Sequence, residues 1–204
     1  MRRRAIDWFA GEPALCDSIE KALEEALLLG IPLQTNHRRT LYRIRLDAGD
    51  RSGTDAAFPK STGSPAFPPE AVVKIYHRRS GARRVRDAIK RAVGHSALRR
   101  EWSGFETLTR LGLLTAAPLA WGRSPSGDEI LVTRFLDGVP LGQAIPRLEP
   151  QRVDELAAGL AHSIQRLHAA GSRHGDLHLG NLLYSDSEAV FLDPQRLRPG
   201  RSRA

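Results

Sequence analysis

The stretch from Pro150 to Asp193 constrains this chain more than any other. Val153, Leu156, Leu160, Ile164 and Leu167 recur at three- and four-residue steps between Pro150 and Ala170, which predicts a long amphipathic helix, and Gly171 stands where a C-terminal cap belongs. The run His174-Gly175-Asp176-Leu177-His178-Leu179-Gly180-Asn181 follows as a loop. Leu182 to Tyr184 and Ala189 to Leu192 then read as two very short strands around a Ser-Asp-Ser turn. A hairpin brings its ends together, so Asn181 at its entrance and Asp193 at its exit fall side by side.

The rest of the chain supplies strands before this helical half. Pro13 to Leu29 has helical spacing at Leu15, Ile19, Ala22, Leu23, Ala26 and Leu27, with Gly30 and Pro32 to stop it. Thr40 to Leu46 alternates apolar and basic residues as a half-buried strand does, and Ala71 to Tyr76 is a β-branched strand with Lys74 in its middle. A lysine in a buried strand is costly unless paired. Between these strands, residues 47 to 69 are rich in Gly, Ser, Thr, Asp and Pro and predict a long exposed loop. Helices are expected over residues 82–93 and 96–111, the second capped by Ser96, and strands over 119–121 and 129–133. There is no repeat and no coiled coil.

Composition narrows the class. A chain of 204 residues with 41% apolar residues can bury an ordinary core, which excludes a disordered or fibrous protein. Cys16 is the only cysteine, so it has no internal disulfide partner, and a reducing compartment is expected. The basic start Met1 to Arg4 lacks the apolar stretch of a signal peptide, and the longest greasy run, Ala26 to Leu33, falls far short of the roughly 20 residues that span a bilayer. The expectation is a cytoplasmic protein, at most peripheral at the inner face of the membrane. A formal charge of +8 attracts anions, and Arg78, Arg79, Arg83, Arg84, Arg86, Lys90, Arg91, Arg99 and Arg100 crowd one region.

Phosphoryl transfer requires a carboxylate to orient the acceptor hydroxyl, oxygen ligands for magnesium and a cation on the nucleotide phosphates. Asp176, the pair Asn181 and Asp193, and Lys74 are candidates for these parts, in that order. The spacing His174-x-Asp176-Leu177-x-x-x-Asn181 followed by Asp193 resembles the catalytic loop and metal-binding aspartate of the protein-kinase-like superfamily. That resemblance implies Asp176 as catalytic base, Asn181 and Asp193 as magnesium ligands, His174 as a structural brace, Lys74 on the α- and β-phosphates of ATP, and Glu101 as its partner. Glu106 lies on the same predicted helix and is the other candidate partner. Protein kinases acting on Ser or Thr usually carry lysine where this chain has His178. The string from His174 to Leu183, with Val72 to Tyr76, Arg99 to Trp102 and Leu192 to Arg196, is most similar to the lipopolysaccharide (Kdo/heptose) kinase family. The resemblance covers about residues 40 to 198 and implies a sugar or glycolipid acceptor held at the cytoplasmic face of the inner membrane.

Two departures stand beside it. The turn Thr35-Asn36-His37-Arg38-Arg39 before the lysine strand lacks the glycines of protein kinases, and only eleven residues follow Asp193, where Pro194 replaces the usual Phe-Gly. The expected architecture is α+β: a protein-kinase-like bilobal fold with a strand-rich lobe over 1–136, including the N-terminal helix and the 47–69 loop, and a truncated helical catalytic lobe over 137–204. ATP lies between them, against residues 132–136. A pseudokinase binding module and a minimal atypical Ser/Thr protein kinase are the alternative functions. Taken singly, Asp176, Asn181 and Asp193 also suit caps or turns, Lys74 also suits an edge strand, and the arginine-rich stretch also suits a solvated helix face. His174 and His178 lack a third ligand at zinc spacing. Trp102 and Trp121 read as core residues, and no nucleic-acid partner is expected.

Overall fold

The computed structural model describes residues 6–36, 38–46, 68–78 and 96–199. The predicted 82–93 helix, nearly all of the 47–69 loop and most of the Arg78–Arg100 cluster lie outside these residues. Chain contacts divide the protein into two compact units, Met1–Arg78 with Leu119–Phe135, and Arg79–Pro118 with Leu136–Ala204.

The first unit is a six-stranded sheet with one helix. Its strands are β1 (Asp7–Ala10), β2 (Gln34–Thr35), β3 (Arg39–Arg45), β4 (Glu70–Tyr76), β5 (Pro118–Arg123) and β6 (Glu129–Arg134), in the order β1-β5-β6-β4-β3-β2. Helix α1 (Pro13–Leu29) starts on its proline and ends at Gly30, whose φ of 66° is a left-handed conformation that a glycine adopts without strain. Its buried face, Leu15, Cys16, Ile19 and Leu23, joins Ile44, Ala71, Val73, Ile75, Ile130 and Val132 in one core. Alternation along β4 decides what faces where: Ala71, Val73 and Ile75 are buried in that core, while Lys74 projects from the opposite face beside Leu41 and Leu131, its register partners.

The second unit holds helix α2 (Ala97–Arg110), the short α3 (Leu141–Ala144), the long α4 (Pro150–Ala169) and three pieces of sheet. Strands β9 (Leu182–Ser185) and β10 (Glu188–Phe191) form the predicted hairpin, and β7 (Val139–Pro140) pairs with β9. A two-stranded ribbon pairs β8 (Ser172–His174) with β11 (Leu197–Pro199). Leu108, Leu113, Leu141, Leu156, Leu167, Leu182 and Phe191 form its core, with Leu160, Ile164 and Leu177 packed against it. Ser96 caps α2 as expected, its Oγ accepting from the Arg99 N–H at 3.1 Å.

Helices α1, α2 and α4 thus form where periodicity places them, and the content is α+β. Strands β1, β2, β7, β8 and β11 were not expected. Each has two to four residues, too few for an alternating pattern; β1, β7, β8 and β11 form because a distant segment offers a ladder, and β2 because the turn at Asn36 folds it onto β3. No helix among the described residues is long and apolar enough to cross a membrane.

Candidate active site

Asp176, Asn181 and Asp193 lie together in the second unit, and the hairpin is the reason. The Leu192 N–H donates to the Asn181 carbonyl at 2.9 Å, closing the base of the β9–β10 pair so that Asp193 follows directly beside Asn181. Asn181 then reaches back: its Nδ2 donates to the Asp176 carbonyl oxygen at 2.8 Å. Since the amide nitrogen is committed to Asp176, the Asn181 Oδ1 is the acceptor end of that side chain, suited to a hard cation. A third bond, from the Asn181 N–H to the His178 carbonyl at 2.9 Å, tightens the loop into a single 3-10 turn.

The loop is held from its other side as well. The Gly175 N–H donates to the Arg196 carbonyl at 3.0 Å, and Leu197 pairs with His174 in the ribbon, so the chain after Asp193 runs back against the chain before Asp176. The hairpin is anchored in turn, as the Phe191 N–H donates to the Leu114 carbonyl and Thr115 Oγ1 donates to the Phe191 carbonyl, both at 2.9 Å.

Asp193 has φ 50° and ψ 57°, a left-handed conformation that is uncommon for a residue with a Cβ. Strain of this kind costs on the order of 1–3 kcal/mol and persists only where the surroundings enforce it. Here they do: Pro194, the next residue, is buried against Gly104 of α2. Glu101 lies three residues before Gly104 on the buried side of α2 with 0% exposure, whereas Glu106 is on its exposed side. A fully buried carboxylate is expensive without a charged or hydrogen-bonding partner.

His174 is half-buried, with its ring centroid 6.2 Å from that of Phe191. Its Nδ1 accepts from the Asp176 N–H at 3.3 Å. Burial pushes the His174 pKa below its ordinary value, against the opposing pull of Asp193, Asp176 and the Leu192 carbonyl, so a neutral ring with a bare Nδ1 is the form that braces the loop. His178 is exposed, and its Nδ1 accepts from the Gly180 N–H at 3.1 Å.

In the first unit, Lys74 stands on the sheet face away from α1. The pocket of about 320 Å³ between α1 and the sheet is lined by Leu23, Tyr42, Ile75, His77 and Ile130 among others, and so belongs to the other face. The turn into β3 is closed by Asn36, whose Oδ1 accepts from the backbone N–H groups of Arg38 and Arg39 at 2.8 and 3.0 Å. Those amides are engaged by a side chain, so a phosphate at this turn meets arginine side chains where a glycine-rich loop would present backbone donors.

The ribbon β8–β11 is what reading the sequence missed. Its only advance signal is the group of arginines at 173, 196 and 198, which spacing alone does not bring together.

A loop aspartate pinned by an asparagine five residues on, beside a left-handed aspartate at a hairpin exit, is the arrangement of a kinase-like phosphotransferase. A model of the lipopolysaccharide kinase (Kdo/WaaP) family matches residues 61–200, and the chain belongs to that family. No curated protein matches it. Among the described residues no three His, Cys, Asp or Glu side chains form a metal cage. The oxygen pair Asn181 and Asp193 suits magnesium, which keeps waters and takes substrate phosphate oxygens to complete its shell.

Proposed function

We propose that the chain transfers the γ-phosphoryl group of ATP to a hydroxyl of a lipopolysaccharide core sugar. The observation that carries this reading is the pair of hydrogen bonds, Asn181 Nδ2 to the Asp176 carbonyl and Leu192 N–H to the Asn181 carbonyl, which gathers Asp176, Asn181 and Asp193 into one short span. Asp176 accepts a hydrogen bond from the acceptor hydroxyl, orients its lone pair toward phosphorus and takes its proton as the new O–P bond forms and the bond from the γ-phosphorus to the bridging oxygen breaks, releasing ADP. Asn181 and Asp193 hold magnesium, which when bound neutralises charge on the β- and γ-phosphate oxygens. Lys74 holds the α- and β-phosphates and Glu101 positions Lys74. The same reading takes a bilobal arrangement with the nucleotide against residues 132–136.

The chain would act from the cytoplasm on a membrane-held acceptor. The Arg78–Arg100 region gives it peripheral contact with an anionic leaflet, each cation near the surface contributing about 1 kcal/mol.

The test is transfer of labelled γ-phosphate from ATP to separated lipid, glycan and protein fractions of a Gram-negative host, with Asp176→Asn as control. Label in the glycan or glycolipid fraction that disappears in the variant supports the reading. Label confined to protein would establish the protein-kinase alternative, and ATP binding without label in any fraction would establish a binding module.

A further inference from the structure

Strands β8 and β11 set Arg173 directly opposite Arg198. Opposed residues of an antiparallel pair project from the same face with Cβ atoms about 4.5–5.5 Å apart, and like charges in that position are destabilising. Both arginines are exposed. Arg198 Nε lies 3.8 Å from where a Cβ on Gly175 would stand, so its side chain runs beside the residue that precedes Asp176. Arg196 places Nη1 3.5 Å from Asp176 Oδ1, on a carboxylate side chain that is 39% exposed. The side chains of Arg196 and Arg198 therefore border the loop of Asp176, Arg196 pairs with its carboxylate, and Arg173 stands across the ribbon from Arg198.

A three-residue ribbon has no structural use for opposed cations, since almost any other residue at 173 or 198 would pair better. Guanidinium forks match the two oxygens of a carboxylate or phosphate, and a cluster of them beside a reacting carboxylate favours an acceptor that brings its own negative charge. We propose that Arg173 and Arg198, with Arg196, form a subsite for an anionic group on the acceptor, a carboxylate or a phosphate monoester, and that this contact sets the acceptor hydroxyl against Asp176. The inference rests on Asp176 being the base. It adds that acceptor charge is a determinant of specificity, so a neutral polyol of the same size is poorly held.

The experiment measures binding of deacylated lipopolysaccharide core oligosaccharide to the full chain without nucleotide, by calorimetry, in three forms: native, carboxyl-reduced and dephosphorylated. The double variant Arg173→Gln/Arg198→Gln binds the native form at least about tenfold more weakly, as loss of a charge-assisted pair predicts. One of the two neutralised oligosaccharides shows the same loss on the wild-type chain and so identifies the anion. Thermal stability of the double variant is unchanged or raised, because repulsion has been removed, which separates the loss from misfolding. Equal binding by wild type and double variant, no binding by wild type, or undiminished binding of both neutralised forms would each overturn the subsite. The underlying reading fails separately, when wild type binds with this discrimination yet transfers no label from ATP and magnesium. Transfer with an acceptor KM unaltered in the double variant would keep the kinase and remove the subsite.

Discussion

Gly104 lies under Pro194 so closely that a Cβ built on it would stand 2.5 Å from the Pro194 carbonyl oxygen and 2.8 Å from Pro194 Cβ. Gly104→Ala is thus a one-methyl probe of how firmly α2 sets the residue after Asp193. Two effects oppose each other. Alanine in a helix interior is favoured over glycine by about 1 kcal/mol. Real Cβ atoms do not sit 2.5 Å from a carbonyl, so α2 or the 194–196 turn must shift, and overpacking of this kind costs about 1–3 kcal/mol. The expected net is a loss of about 0–2 kcal/mol, read as a lower urea midpoint at unchanged slope. Function should suffer more than stability, because the displaced turn carries Asp193, and misplacement of a catalytic group by 1 Å costs on the order of a hundredfold. The assay compares kcat for phosphotransfer with the unfolding midpoint in the same preparation. A variant that gains stability and turns over at the wild-type rate would refute the claim that this contact positions Asp193.

Asn181→Asp keeps size and an oxygen for magnesium but replaces the donor aimed at the Asp176 carbonyl with an acceptor; it should cost about 1–3 kcal/mol of stability and at least about tenfold in transfer, measured by urea unfolding and label incorporation. Retention of the wild-type midpoint would show that the bond is dispensable. His174 gives a pH dependence whose sign is fixed by its lowered pKa. Below its ordinary value of about 6.5 the unfolded chain binds a proton that the folded ring resists, so the stability due to neutral His174 is complete above that pH and is lost as pH falls through the lowered folded value. Unfolding midpoints at pH 7.5 and 5.5 should therefore differ more for wild type than for His174→Gln, and parallel pH profiles would remove His174 from the account.

How much of this was legible depended on length of pattern. Helix α4 has five apolar residues at helical steps and a glycine at its end, enough to place it to within a residue. Strands β3 and β4 showed themselves by alternation and by β-branched residues, and Lys74 stood out because it broke an apolar run. The β8–β11 ribbon was invisible because Ser172, Arg173 and His174 carry no period, and their partners lie beyond a whole hairpin. The left-handed backbone of Asp193 was equally hidden, since an aspartate there reads as an ordinary turn residue. Gly104 carries no signal in the sequence; the close approach of Pro194, which leaves no room for a side chain there, exists only in the packed structure.

The catalytic loop also shows why its leucine matters as much as its hydrogen bonds. Ordering a backbone costs on the order of 1–2 kcal/mol per residue, while a neutral hydrogen bond returns about 1 kcal/mol net. The six bonds that tie the loop down, Gly175 to Arg196, Asp176 to His174, Gly180 to His178, Asn181 to Asp176 and to His178, and Leu192 to Asn181, return about 6 kcal/mol against roughly 7–14 kcal/mol for ordering residues 175–181, and so cannot by themselves offset it. The balance must come from burial. Leu177, directly after Asp176, packs against the core to which α4 contributes Leu167 and the hairpin contributes Leu182 and Phe191, so it ties the loop to that core. Asp176 is placed by hydrogen bonds that fix its direction and by a neighbouring apolar side chain that supplies the free energy to keep it there.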